Sequence, residues 1–153
     1  MTTYEKLLEE AHENGLIVRE KELSGSDGLI YKNRIAISDR LETSAEKACV
    51  LAEEIGHYHT AVGDIVDLQN IENLKQEQKG RLHGYNRMIG LRGIIDAFNA
   101  GCQSRHEIAE FLEVTEEFLQ EAIDCYTGKY GEYATLDNYI IYFIPYLGVM
   151  EMI

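Results

Sequence analysis

Glu53, Glu54 and His57 stand in the order E-E-I-G-H inside an otherwise apolar stretch, and all three are residue types that bind metals or move protons. On a helix, positions 53 and 57 lie one turn apart and project from the same side, while position 54 is turned away by about 100°. This is the spacing of HExxH with its first histidine exchanged for glutamate. In the unaltered motif, two imidazoles at i and i+4 hold zinc, and the glutamate at i+1 is the general base that activates water. A carboxylate oxygen of Glu53 can take the place of the imidazole nitrogen as a ligand, and Glu54 keeps the position of the base.

A catalytic zinc site takes three protein ligands and leaves one position open. Glu77 is the best-placed third donor, because Gly80 and Gly84 in the same segment leave a smooth face that can lie close against the first helix. Asp64, Asp67 and His59 are further candidates. Cys49, one turn before Glu53, is a candidate thiolate, although a small cysteine in a buried helix more often packs as a hydrophobe. Tyr58, His59 and His83 are candidates for stabilising an oxyanion. A Glu, His, Glu set carries two negative charges. It suits zinc, but it shifts preference towards harder divalent metals such as manganese or iron and weakens the metal as a Lewis acid.

The elements that must position these residues are legible from their caps and periodicity. A first helix is expected over Thr3 to Asn14, stopped by Asn14-Gly15. Short strands follow at Ile17-Val18, Leu29 to Tyr31 and Arg34 to Ile37, the last two joined by Lys32-Asn33. Thr43 and Glu46 have capping-box spacing and open the helix that carries E-E-I-G-H, in which Ala48, Cys49, Val50, Leu51, Ala52 and Ile55 are apolar around most of the circumference. That is how a helix buried inside a domain reads. Gly63 and Asp64 mark a loop. Helices are then expected over Ile71 to Met88, Leu91 to Asn99, Ser104 to Leu112 and Thr115 to Tyr126, followed by a terminal strand alternating through Tyr139 to Ile144 and ending at Pro145.

With these elements in place, the chain resembles the ImmA/IrrE family of metallo-endopeptidases. The resemblance rests on the strand Arg34-Ile35-Ala36-Ile37, on the helix Cys49-Val50-Leu51-Ala52-Glu53-Glu54-Ile55-Gly56-His57-Tyr58, and on Glu77-Gln78-Lys79-Gly80-Arg81-Leu82-His83-Gly84, which looks like that family's third-ligand helix. The segments His106 to Ala109 and Val114 to Leu119 are similar to the C-terminal helical part of its phage-borne members. The resemblance implies an α+β fold: a zincin-like, mainly helical domain with a small N-terminal sheet, a C-terminal helical hairpin and a terminal strand. It implies a metallopeptidase-type core over 1–100, with 101–153 packed on it as one domain. It also implies metal ligands at Glu53, His57 and Glu77, Glu54 as the catalytic base, and zinc or another divalent metal such as manganese or iron. The expected activity is cleavage, at narrow specificity, of a helix-turn-helix repressor belonging to a phage or mobile element. The rival expectation is a degenerate member that binds the repressor as an antirepressor and cuts nothing.

Composition narrows the partners. The chain has 153 residues and a formal net charge of −13, with 27 acids against 14 bases, which is ordinary for a folded domain but wrong in sign for a surface that binds phosphate. DNA, RNA and anionic membranes are therefore poor partners. The helix pair Ser104 to Leu112 and Thr115 to Tyr126 has the connection of a helix-turn-helix, yet residues 101–153 carry ten acids and two bases, so it reads as a packing motif or a protein contact. Three scattered cysteines give no disulfide framework. The acidic first residues and the lack of a long apolar run lead to the expectation of a cytoplasmic protein.

Overall fold

A computed structural model describes residues 1–60 and 71–153, so Asp64, Asp67 and the expected loop at Gly63 lie outside the described residues. The described chain forms two compact units, Met1–Gly84 and Tyr85–Ile153. The division falls within a helix. No helix among the described residues is long and apolar enough to cross a membrane.

The first unit opens with α1 (Thr3–Glu13). Its start is capped by Thr2, whose hydroxyl accepts from the Glu5 N–H at 3.1 Å. Its end is a Schellman turn: Gly15 adopts a φ of 76°, its N–H donates to the His12 carbonyl, and the Leu16 N–H donates to the Ala11 carbonyl. Leu16 and Ala11 are both buried at that turn.

Strands β1 (Ile17–Lys21), β2 (Gly28–Tyr31) and β3 (Arg34–Ser38) form a sheet in the order β1-β3-β2. β1 runs parallel to the central strand and β2 antiparallel to it. Lys32, in the left-handed region at φ 55°, turns β2 into β3. Alternation then sorts the two faces. Ile35 and Ile37 point to the buried side with Gly28 and Ile30, while Arg34, Ala36, Leu29 and Tyr31 point away.

Against the buried face packs α2 (Ser44–Thr60), which also meets α1. The expected capping box is formed in full. The Glu46 N–H donates to Thr43 Oγ1 at 3.1 Å, and the Thr43 N–H donates back to Glu46 Oε1 at 3.2 Å. Thr43→Ala removes the hydroxyl that accepts from the Glu46 N–H and leaves the backbone half of the box; it is expected to cost about 1 kcal/mol, read as a lower urea midpoint at unchanged m value. Burial runs round α2, taking in Ala48, Cys49, Leu51, Ala52, Ile55, Gly56 and His57. Helix α3 (Ile71–Met88) supplies the remaining wall of the site, its residues to Gly84 belonging to this unit.

The second unit holds the end of α3, then α4 (Gly90–Asn99), α5 (Arg105–Leu112) and α6 (Glu116–Tyr130). Ser104 and Thr115 cap α5 and α6 by accepting from the Glu107 and Phe118 N–H groups, and Glu113 makes the turn between them at φ 57°. The expected single terminal strand proves to be the middle of three. β4 (Tyr133–Leu136), β5 (Tyr139–Tyr142) and β6 (Gly148–Glu151) form an antiparallel meander in that order. Asp137-Asn138 joins the first two, with Asp137 at φ 53°. Four-residue strands leave too short an alternation to stand out from their turns, and β5 stands out because all four of its residues are apolar or aromatic and Ile141 is buried.

Both units pair helices with a small sheet, and the fold is α+β as expected. The core of the second is built by Ile94, Ile95, Phe118, Leu119, Tyr126 and Ile141.

Candidate functional site

The site is built where α2 and α3 cross at van der Waals distance, and glycines on both helices allow that approach. A Cβ on Gly56 would strike the Gly80 carbonyl oxygen, one on Gly80 would strike the His57 ring, and one on Gly84 would come within 3.2 Å of the Glu53 backbone. The smooth face read from Gly80 and Gly84 is real, and Gly56 is its counterpart on α2. In a helix interior each glycine costs about 1 kcal/mol relative to alanine, so close backbone contact is what offsets it.

This contact sets His57 against Glu77. The imidazole is buried, and its Nε2 lies 3.3 Å from Glu77 Oε1. Although that is an ion-pair distance, burial lowers the His57 pKa, the Arg81 guanidinium lowers it further, and the Glu77 carboxylate only opposes these. Desolvation wins because the ring has almost no water contact. The neutral ring is the form that can offer a lone pair to a metal. Arg81, one turn after Glu77, brings its Nε to 3.3 Å from the same Oε1. It was not read as part of the site, although its i+4 spacing from Glu77 was the available signal.

Glu54 stands on the side of α2 that faces the sheet. A Cβ on Gly28 would sit 3.2 Å from Glu54 Cγ and 3.4 Å from its Oε1, so the bare backbone of β2 makes room for this carboxyl. Burial raises its pKa from 4.5 to about 7, with the charges of Glu53 and Glu77 adding to the rise. A carboxyl with that value is near half-protonated at neutral pH, which suits a group that takes a proton and gives it back. Gly28 was not singled out in sequence, because which strand faces Glu54 depends on the strand order.

The three expected ligands are not all gathered. His57 and Glu77 meet, whereas among the described residues no three His, Cys, Asp or Glu side chains converge into a group able to hold a metal. Glu53 lies one turn before His57, with its backbone under Gly84 and its charge felt by Glu54. Cys49 is a buried thiol. Tyr58 and His59 are exposed, and their rings stand 5.4 Å apart, as do those of His59 and His83.

Residues 4–124 match the family described as Peptidase_M78, IrrE N-terminal-like domain. The chain belongs to this family. The match takes in the first unit from Tyr4 onward and runs into α6, leaving β4 to β6 outside it. No curated protein and no solved structure matches the chain. Peptidase_M78 is a metallopeptidase family, so membership implies a metal cofactor and a protein substrate.

The donor pair fits such a metal. Two ligand atoms bound at about 2.0–2.2 Å to one tetrahedral ion lie roughly 3.3–3.5 Å from each other, and His57 Nε2 and Glu77 Oε1 already stand at 3.3 Å. Metal ligation usually also fixes the second ring nitrogen of a histidine by a hydrogen bond, and among the described residues His57 Nδ1 has none.

Proposed function

We propose that this Peptidase_M78 protein is a metal-dependent endopeptidase of narrow specificity that cleaves a helix-turn-helix repressor of a phage or mobile element. The observation that carries this reading is the His57–Glu77 donor pair at 3.3 Å with the Glu54 carboxyl on the same helix, where burial pushes that carboxyl up to about 7. His57 and Glu77 would hold the metal, with Glu53 as the third ligand. A zinc ion, or manganese or iron in its place, would supply Lewis-acid activation of the scissile carbonyl and of water.

Every other step belongs to the chain itself. Glu54 removes a proton from the attacking water as its oxygen bonds to the carbonyl carbon. The same carboxyl then delivers that proton to the amide nitrogen as the C–N bond breaks. Arg81 holds the Glu77 carboxylate in place. Among the described residues β2 is an edge strand of the sheet and adjoins Glu54 through Gly28, so an extended peptide laid along it passes close to the base.

A second reading, an antirepressor that binds without cutting, is favoured in that no three His, Cys, Asp or Glu side chains are grouped to hold a metal among the described residues. One experiment separates the two. The purified protein is incubated with the repressor encoded beside it, with and without a chelator, and the mixture is followed by mass spectrometry and gel filtration. Cleavage that the chelator stops supports the peptidase. An intact repressor that co-elutes with the protein supports the antirepressor, and an intact repressor that does not co-elute overturns both.

A further inference from the structure

The outer face of the N-terminal sheet is unlike the rest of this acidic chain. It is the face turned away from α2, and it carries Arg19, Lys21 and Arg34 with no acidic residue on the alternating positions of the three strands. All three cations are exposed, and among the described residues none of them forms an ion pair; Arg19 reaches only the Val18 carbonyl. In a chain with 27 acids and 14 bases, three neighbouring cations left without carboxylates are a local reversal of sign. Beside them Ile17, Leu29 and Tyr31 are 40%, 53% and 72% exposed.

Strand register arranges these side chains. Ile17, Arg34 and Tyr31 form one row across the sheet, and Arg19, Ala36 and Leu29 form the next. The short side chain of Ala36 in the middle strand leaves a concavity of about 470 Å³ walled by its longer neighbours. The depression thus has an apolar floor, a ring on one side and guanidinium groups within reach of it.

We infer that this face is a docking surface for a short acidic segment of a partner protein, separate from the Glu54 site on the other side of the sheet. Charge complementarity selects the occupant. The two five-residue strands rise about 17 Å and the three-stranded sheet spans roughly 10 Å, so the patch extends over only one to two Debye lengths of about 8 Å at physiological salt. A segment of four to six residues stays inside that footprint. Its carboxylates meet Arg19 and Arg34, whose planar forks donate to them bidentately, and an apolar side chain fills the depression over Ala36. A nucleic acid or an anionic bilayer extends beyond the patch and meets the surrounding acids, which repel it.

The probe is a fluorescein-labelled hexapeptide of alternating glutamate and leucine, read by anisotropy on the full chain. It is expected to bind at least about tenfold more tightly than its glutamine-for-glutamate analogue at low salt, and to release as salt rises. The variant Arg19→Ala/Lys21→Ala/Arg34→Ala is expected to lose at least about tenfold, and Arg19→Lys/Arg34→Lys, which keeps the charge but not the forks, to lose affinity by less than the alanine variant does. Arg34→Glu alone, one exposed side chain, must also weaken the acidic peptide while circular dichroism is unchanged.

Equal affinity for the two peptides overturns the inference, as does unchanged binding by the alanine or glutamate variants. Tighter binding of a hexathymidylate strand or of phosphatidylserine vesicles overturns it in favour of a phosphate surface. Dimerisation of the parent that the triple variant abolishes overturns it in favour of a second copy of this chain.

Discussion

Glu54→Gln is expected to eliminate peptide cleavage and, in the same molecule, to make the fold more stable at alkaline pH. Loss of a positioned general base lowers the rate by about 10²–10⁴-fold, measured on the repressor or on a peptide spanning its cleavage site. The stability effect comes from the buried charge. In the folded chain Glu54 keeps its proton up to a pH of about 7, whereas the unfolded chain releases it near the ordinary 4.5.

The raised value means that the folded state binds this proton more tightly than the unfolded state does. Its contribution to stability is therefore fully present below pH 4.5 and is lost as pH rises through 7. A shift of this size corresponds to on the order of 3 kcal/mol between the two ends of that window. Glutamine fills nearly the same space and never ionises. In chelator, the parent and Glu54→Gln should have similar urea midpoints at pH 4.5, and the variant should be the more stable at pH 8. Parallel pH profiles for the two proteins would show that Glu54 is not desolvated.

The second large effect is steric and concerns the crossing of α2 and α3. By helix propensity alone, Gly56→Ala and Gly80→Ala should each stabilise their helix by about 1 kcal/mol. Packing reverses the sign. The new methyl of Gly56→Ala meets the Gly80 carbonyl oxygen, a backbone atom that cannot swing aside, and that of Gly80→Ala meets the His57 ring. Forcing extra atoms into a packed interface costs about 1–3 kcal/mol, and more where backbone must move, so a net loss of about 2 kcal/mol is expected for each.

For a chain of this length that lowers the melting temperature by roughly 4–8 °C. Gly80→Ala should in addition displace His57 from Glu77 and reduce metal affinity, measured by equilibrium dialysis. Gly128→Ala is the internal control. It lies in α6 with nothing within 4 Å of a new Cβ, so propensity acts unopposed and the melting temperature should rise. A rise for all three variants would mean that α2 and α3 do not touch as described.

The two expected results explain the cost of this site to the fold. The chain keeps three glycines at one helix crossing and desolvates a carboxyl beside two further negative charges. None of these choices maximises stability. Each brings a proton acceptor or a pair of donors to a place that water only partly reaches, which is the usual reason for a strained or charged interior.

Much of this was determined by local sequence. The caps at Thr43, Ser104 and Thr115 act over three residues, and each formed the bond its spacing implies. The same holds for the Asn14-Gly15 stop and for the extent of α3 from Ile71 to Met88. That Glu53 and His57 share a side of α2 follows from the helical repeat alone, and Gly80 and Gly84 announced a close helix contact because only glycine permits one.

What the tertiary structure decided is everything that depends on residues far apart in the chain. It set the strand order β1-β3-β2, hence which backbone makes room for Glu54 and which cations gather on the open face of the sheet. It brought Glu77, among several acids, against His57. It also moved the Glu54 pKa, because desolvation is a property of the surroundings and not of the residue. Short-range bonds can be read from spacing, whereas burial and proximity exist only once the helices and the sheet have packed.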